Sequence, residues 1–140
     1  MNRLLSIVCL LVGFALLSCQ TYTTGLQQSV ARADEMAAIA ALKTISTAQQ
    51  TYAVSNGGAY GTFQQLCEAG YLDARFNSSK PPAGNYALSM EVSANSYSVN
   101  ADPTRSGNQA GRHLYTDSSS PLIRVNSTQR ATAEDPVMQP

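Results

Sequence analysis

The chain has 140 residues, a formal net charge of +0 and only 13% charged residues, with aromatic residues at 7%. That balance leaves no basic footprint for nucleic acid, so no nucleic-acid partner is expected. The length suits one domain around one core.

The first feature in chain order is an uncharged apolar run from Leu4 to Leu17, with Arg3 ahead of it and the small residue Ser18 behind. The run is too short to span a bilayer, and it has the charged start, apolar middle and small-residue exit of a signal peptide over residues 1–18. One reading is an ordinary cleaved signal that ends near a cysteine. The other starts from Leu16, Leu17, Ser18 and Cys19, a junction that resembles a bacterial lipobox. That resemblance implies diacylglycerol on the Cys19 thiol, cleavage before it, and a lipidated linker over 19–25. Covalent lipid on Cys19 would then hold the protein on a membrane, since each buried CH₂ contributes about 0.8 kcal/mol. In the lipoprotein sorting pattern an Asp after the cysteine retains the protein in the inner membrane. Gln20 stands there instead, which favours the outer membrane.

Of the three cysteines, Cys9 lies in the apolar run and Cys19 is the lipidation candidate, which leaves Cys67 and no expected intrachain disulfide. Cys67 reads either as a small buried hydrophobe beside Leu66 or as an exposed thiol that pairs with another chain.

From about Gly25 to Val54 there is no proline and no internal glycine, and Leu26, Val30, Ala33, Ala37, Ala40, Ala41, Ile45, Ala48 and Tyr52 recur at three- and four-residue steps. Met36, Ile39 and Leu42 flank them. This spacing predicts an apolar stripe on one helix, roughly 45 Å long. Gln28, Arg32, Glu35, Lys43, Thr47 and Gln50 form the face expected to meet water. Asn56, Gly57 and Gly58 supply the stop, because glycine accepts the left-handed conformation of a C-terminal cap. A short helical turn is expected from Thr62 to Ala69, with Thr62 as its cap and Phe63, Leu66 and Cys67 facing inward.

A loop rich in Asn, Ser, Lys and Pro follows from Asn77 to Gly84, and then the period changes to two. Asn85 to Val92 places Tyr86, Leu88, Met90 and Val92 on one face. The strand after Asn95 groups Tyr97, Val99 and Ala101, and Ala94 and Asn95 mark a hairpin. Arg112 to Thr116 and Leu122 to Asn126 give two further strands around the turn Asp117 to Pro121. A long N-terminal α-helix packed on a small antiparallel β-sheet is an α+β fold. The head is expected over 26–126, and the polar segment 127–140 is expected to fray or to lie along the surface.

The chemistry-bearing residues are few. His113 is the one histidine, with Asp73, Asp102 and Asp117 as acids able to orient it and Cys67 as a nucleophile, but no spacing ties them. No Gly-x-Ser-x-Gly elbow and no Cys-x-x-Cys pair is present, so the chain is not expected to be an enzyme. Tyr52, Tyr71, Tyr86, Tyr97 and Tyr115 fit core packing better than a stacking platform. Arg105 and Arg112 flank the segment Gly107 to Gly111, which lacks the following helix of a phosphate cradle and reads as a mobile connection.

Taken in order, Ala41 to Tyr52, Gly70 to Asp73, Tyr97 to Pro103, Gly111 to Asp117 and the final strand to Val125 resemble the body of type IV pilin-like and pseudopilin proteins. The resemblance covers roughly Leu26 to Asn126. In that family a Phe and, a few residues on, a Glu open an apolar helix that packs the filament. Here Gly13 and Phe14 are present, but Ser18 stands in place of the Glu and the chain turns polar at Gln20. The polymerisation helix is therefore expected to be missing. The resemblance implies a pilin-like head on a lipid anchor, an accessory or surface component of a type IV pilus or type II secretion-like system. Its partners would be the membrane through the lipid, together with pilus or secretion-system proteins. The alternative is an extracellular ligand-binding or adhesive module.

Major pseudopilins hold calcium near their last strands, which makes Asp117 and Ser119, with the Ser118 carbonyl, weak metal candidates by resemblance. The same residues also suit a tight turn in which Asp117 bonds its own backbone.

Overall fold

A computed structural model describes residues 2–78, 82–105 and 111–139, with side chains from Gly25 onward. The first element, α1 (Asn2–Ser55), runs unbroken for 54 residues, about 80 Å at 1.5 Å per residue. The helix predicted over 25–54 is therefore the second half of a longer one, and the expected linker 19–25 is helical as well. The Cys19 side chain and those of the signal segment lie outside the described residues, as do residues 79–81 of the Asn77 to Gly84 loop and most of the segment Gly107 to Gly111. Among the described residues no helix is long and apolar enough to cross a membrane.

The stop falls where the glycines place it. Gly57 and Gly58 adopt φ of 65° and 93°, and the Gly58 N–H donates to the Ala53 carbonyl at 2.8 Å. α2 (Phe63–Glu68) is closed by a capping box, with the Thr62 hydroxyl accepting from the Gln65 N–H and the Gln65 side chain accepting from the Thr62 N–H. A 3₁₀ turn at Ala74–Asn77 then replaces the first residue of the expected loop. Asp73 caps it, and it buries Phe76.

Four strands follow: β1 (Tyr86–Ser93), β2 (Ser96–Pro103), β3 (His113–Asp117) and β4 (Ser120–Asn126). They form an antiparallel meander in the order β1-β2-β3-β4, with Ala94 and Asn95 at the first turn as predicted. α1 lies across one face. Ala38, Ala41, Leu42, Ile45 and Ala48 of the helix meet Tyr97, Val99, Ala101, Leu114 and Ile123 of the sheet, and Leu66, Leu72 and Phe76 close the side. This is the α+β fold expected from the change of period.

The stripe is only partly core. Leu26, Val30 and Met36 are 51%, 44% and 66% exposed, and full burial begins at Ala38. The helix simply extends past the sheet, so its first apolar residues have nothing in the head to pack against. Glu35, placed on the water-facing side by its spacing, is instead bound to Arg112. The Arg112 Nη2 reaches Oε1 at 2.6 Å, and Nε and the backbone N–H reach Oε2. A second tie joins the Asn85 amide to the Asp34 carboxylate at 2.6 Å.

Of the two expectations for the last segment, lying along the surface is the one observed. Met138 N–H donates to the Ile123 carbonyl at 2.8 Å and Val125 N–H to the Pro136 carbonyl at 3.0 Å, which covers the β4 edge. The segment also crosses the sheet face opposite α1. There the Asn100 amide donates to the Ala131 carbonyl at 2.7 Å. Burial of three consecutive β2 residues, Val99, Asn100 and Ala101, follows from this, because successive strand residues face opposite ways and both faces are covered.

Candidate functional site

The outer face of the sheet collects the polar chemistry. Antiparallel pairing brings Asp102 of β2 beside His113 of β3, and the His113 Nδ1 lies 2.6 Å from the Asp102 Oδ1. Arg130 from the C-terminal segment approaches the other oxygen of Asp102 at 3.7 Å and donates to the Ser89 hydroxyl. Of the three acids considered for His113, the fold selects Asp102. Asp73 caps the 3₁₀ turn, and the Cys67 thiol donates to the Asp73 carbonyl at 3.3 Å, beside α2. The fold thus ties Cys67 into the α2 region and holds His113 on the outer sheet face. Burial pushes the Cys67 thiol up, and the residue is half-buried against the core, close to its first reading.

Asp117 ends β3 and Ser119 is the second residue of the two-residue turn, Ser118 and Ser119, that leads into β4. One carboxylate oxygen of Asp117 accepts from the Ser119 N–H at 2.8 Å, the Ser119 hydroxyl at 2.5 Å and the Ser120 N–H at 3.2 Å. The weak calcium candidate therefore has the geometry of its alternative, an aspartate bonding its own backbone. Among the described residues no group of three or more His, Cys, Asp or Glu side chains is arranged to hold a metal ion. Burial works to raise the Asp117 carboxyl, but the donors from Ser119, Tyr115 and Ser120 outweigh it and hold it below the usual carboxylate range.

That shift gives a pH prediction. Because the folded carboxyl titrates below its unfolded value, its contribution is present above about pH 4 and is lost as pH falls through the folded value. Asp117→Asn should therefore lower the urea midpoint at about pH 7, and the difference should shrink as pH falls below the unfolded carboxylate range of about 4. A difference that does not change with pH would rule out the charge.

The tyrosines divide. Tyr86 and Tyr97 are buried, with the Tyr86 hydroxyl donating to the Arg112 carbonyl at 3.0 Å and the Tyr97 hydroxyl 3.0 Å from the Ser46 hydroxyl. Burial, with Glu35 nearby, pushes Tyr86 up to about 12. Tyr52 and Tyr71 meet edge to face at 6.1 Å. Tyr115 departs from the core expectation: its register opposite Asn100 puts it on the outer face. Arg112, at one end of the segment read as a mobile connection, is taken up by Glu35. Arg105 is exposed.

A groove of about 670 Å³ lies beside the start of β1, walled by Phe63 of α2 and by Phe76 and Asn77 of the 3₁₀ turn. A shallower one of about 350 Å³ runs along the outer face of α1 past Lys43, Thr47 and Tyr71. The spacing marks that helix face as water-facing and the composition marks Asn77 to Gly84 as a loop, but the first groove, lined in part by Asn77, Ser78 and Gly84, exists only once α2 and β1 are brought together.

The fold and these surfaces define a small α+β head carried at the end of a long helix. Comparison with protein-family models, with curated proteins and with solved structures finds no match to the chain.

Proposed function

We propose that this chain is a pilin-like lipoprotein, tethered to the outer membrane through Cys19, whose head acts by protein contact as an accessory or surface component of a type IV pilus or type II secretion-like system. The observation that carries the reading is the helix that outruns its head. Packing on the sheet starts at Ala38, and residues 25–30 are exposed, clear of the described head. A helix anchored at Cys19 would hold the core about 30 Å from the membrane, at 1.5 Å per residue.

Cys19→Ala tests it. The variant should move from the membrane to the soluble fraction, since without acyl chains little apolar surface remains to hold it. Persistence on membranes would remove lipid as the anchor.

The unbroken helix favours a second reading. If the leader is retained, the apolar run Leu4 to Leu17 becomes the N-terminal part of α1, and the chain has the long apolar-ended helix of a filament subunit. Recovery of the chain with that segment intact in sheared filaments would replace the tethered head with this one.

A further inference from the structure

The two edges of the sheet are treated differently. β4 is covered by the C-terminal segment through the bonds to Pro136 and Met138. β1 is not. Thr104 N–H donates to the Asn85 carbonyl, so the next pair, Tyr86 with Pro103, is one that exchanges no bonds, in keeping with the missing proline N–H. The alternation then directs Ala87, Ser89, Glu91 and Ser93 to β2. It turns the N–H and C=O of Leu88, Met90 and Val92 outward, where no backbone bond reaches them among the described residues.

Native edges are usually protected by proline, lysine, a bulge or a covering segment. β1 is eight residues long with no proline, no lysine and no bulge; its one charged side chain is the exposed Glu91, and the irregularity of this sheet lies between β3 and β4.

We propose that the β1 edge takes an extended peptide segment of a partner protein as a fifth strand. Three observations select that occupant. Open donors and acceptors at strand spacing are satisfied by another strand, whereas a lipid or a small apolar molecule would leave them unpaired. Phe63 and Phe76 line the same groove as Tyr86, Ala87 and Leu88 at the start of β1, so a strand laid there meets apolar side chains as well as open backbone groups. The described lining includes Phe63, Phe76 and Leu88, so the segment carries an apolar side chain at every second residue toward them. The inference rests on the contact role proposed above only for the partner being a protein. It does not need the lipid.

The test is residue-resolved amide exchange on the full-length, isotope-labelled protein. Alone, the amides of Leu88, Met90 and Val92 should exchange fast and those of Ala87, Ser89 and Glu91 slowly. A short acetylated peptide alternating valine and threonine should protect Leu88 and Met90, and the same peptide N-methylated at every second residue should not. Leu88→Pro removes an outward N–H without touching a bond to β2, and should weaken binding by about tenfold. Slow exchange at Leu88 and Met90 in the protein alone would overturn the proposal. So would the absence of protection at millimolar peptide, or equal binding of the N-methylated form. None of these outcomes bears on membrane attachment through Cys19, and loss of that attachment leaves this result unchanged.

Discussion

Leu42→Ala should destabilise the head by about 2–5 kcal/mol, because the side chain is fully buried between α1 and the sheet and its removal leaves a cavity that packed neighbours only partly fill. In a domain of this size that corresponds to a drop in Tm of roughly 10 °C or more. The informative control is Met36→Ala, on the same helix and also apolar, but 66% exposed. It should change stability by no more than about 0.5 kcal/mol. Equal effects at the two positions would mean that the head packs further down the helix than Ala38.

The second large effect is expected at a polar residue. Gln49 is fully buried, and its amide closes a two-way clasp on Gly61, accepting from the Gly61 N–H at 2.9 Å and donating to the Gly61 carbonyl at 2.6 Å. Gln49→Leu keeps the volume and the helix propensity but orphans both backbone groups, at about 1–3 kcal/mol each. The segment leading into α2 would loosen, and with it the wall that carries Phe63. Chemical denaturation should show a lower midpoint. An unchanged midpoint would mean that Gly61 finds water or another partner.

Gln49 also shows where the sequence stops being readable. Ala41, Ile45, Ala48 and Tyr52 mark the buried face of α1 by their spacing, and the structure uses that face. Within the same face Ser46 and Gln49 are buried by partners 51 and 12 residues away, Tyr97 and Gly61, and hydrophobic spacing has no term for such bonds. Leu26, Val30 and Met36 fail for the opposite reason. Their spacing is correct, but periodicity gives the direction of a face and not the extent of the sheet that covers it.

The strands were legible because one face is apolar and the other polar, which is also why Asp102 and His113 end on the same side. Their pairing needs the β2–β3 register, which no local pattern fixes. For want of apolar spacing the C-terminal segment read equally as frayed or as lying along the surface. Its order comes from backbone bonds to β4 and from the Asp135 carboxylate, which accepts from Thr132 and Asn126. Candidate chemistry at Asp117 was legible as two alternatives, and only the positions of the three donors around one oxygen separate them.

The central claim is a head held to a membrane by lipid at Cys19. Intact-mass spectrometry of the mature protein, on membrane and soluble fractions of the same cells, tests it most directly. The account predicts a chain that starts at Cys19, carries about two acyl chains or more, and is found with the membranes. A chain that starts elsewhere, carries no lipid and is recovered in the soluble fraction would contradict it.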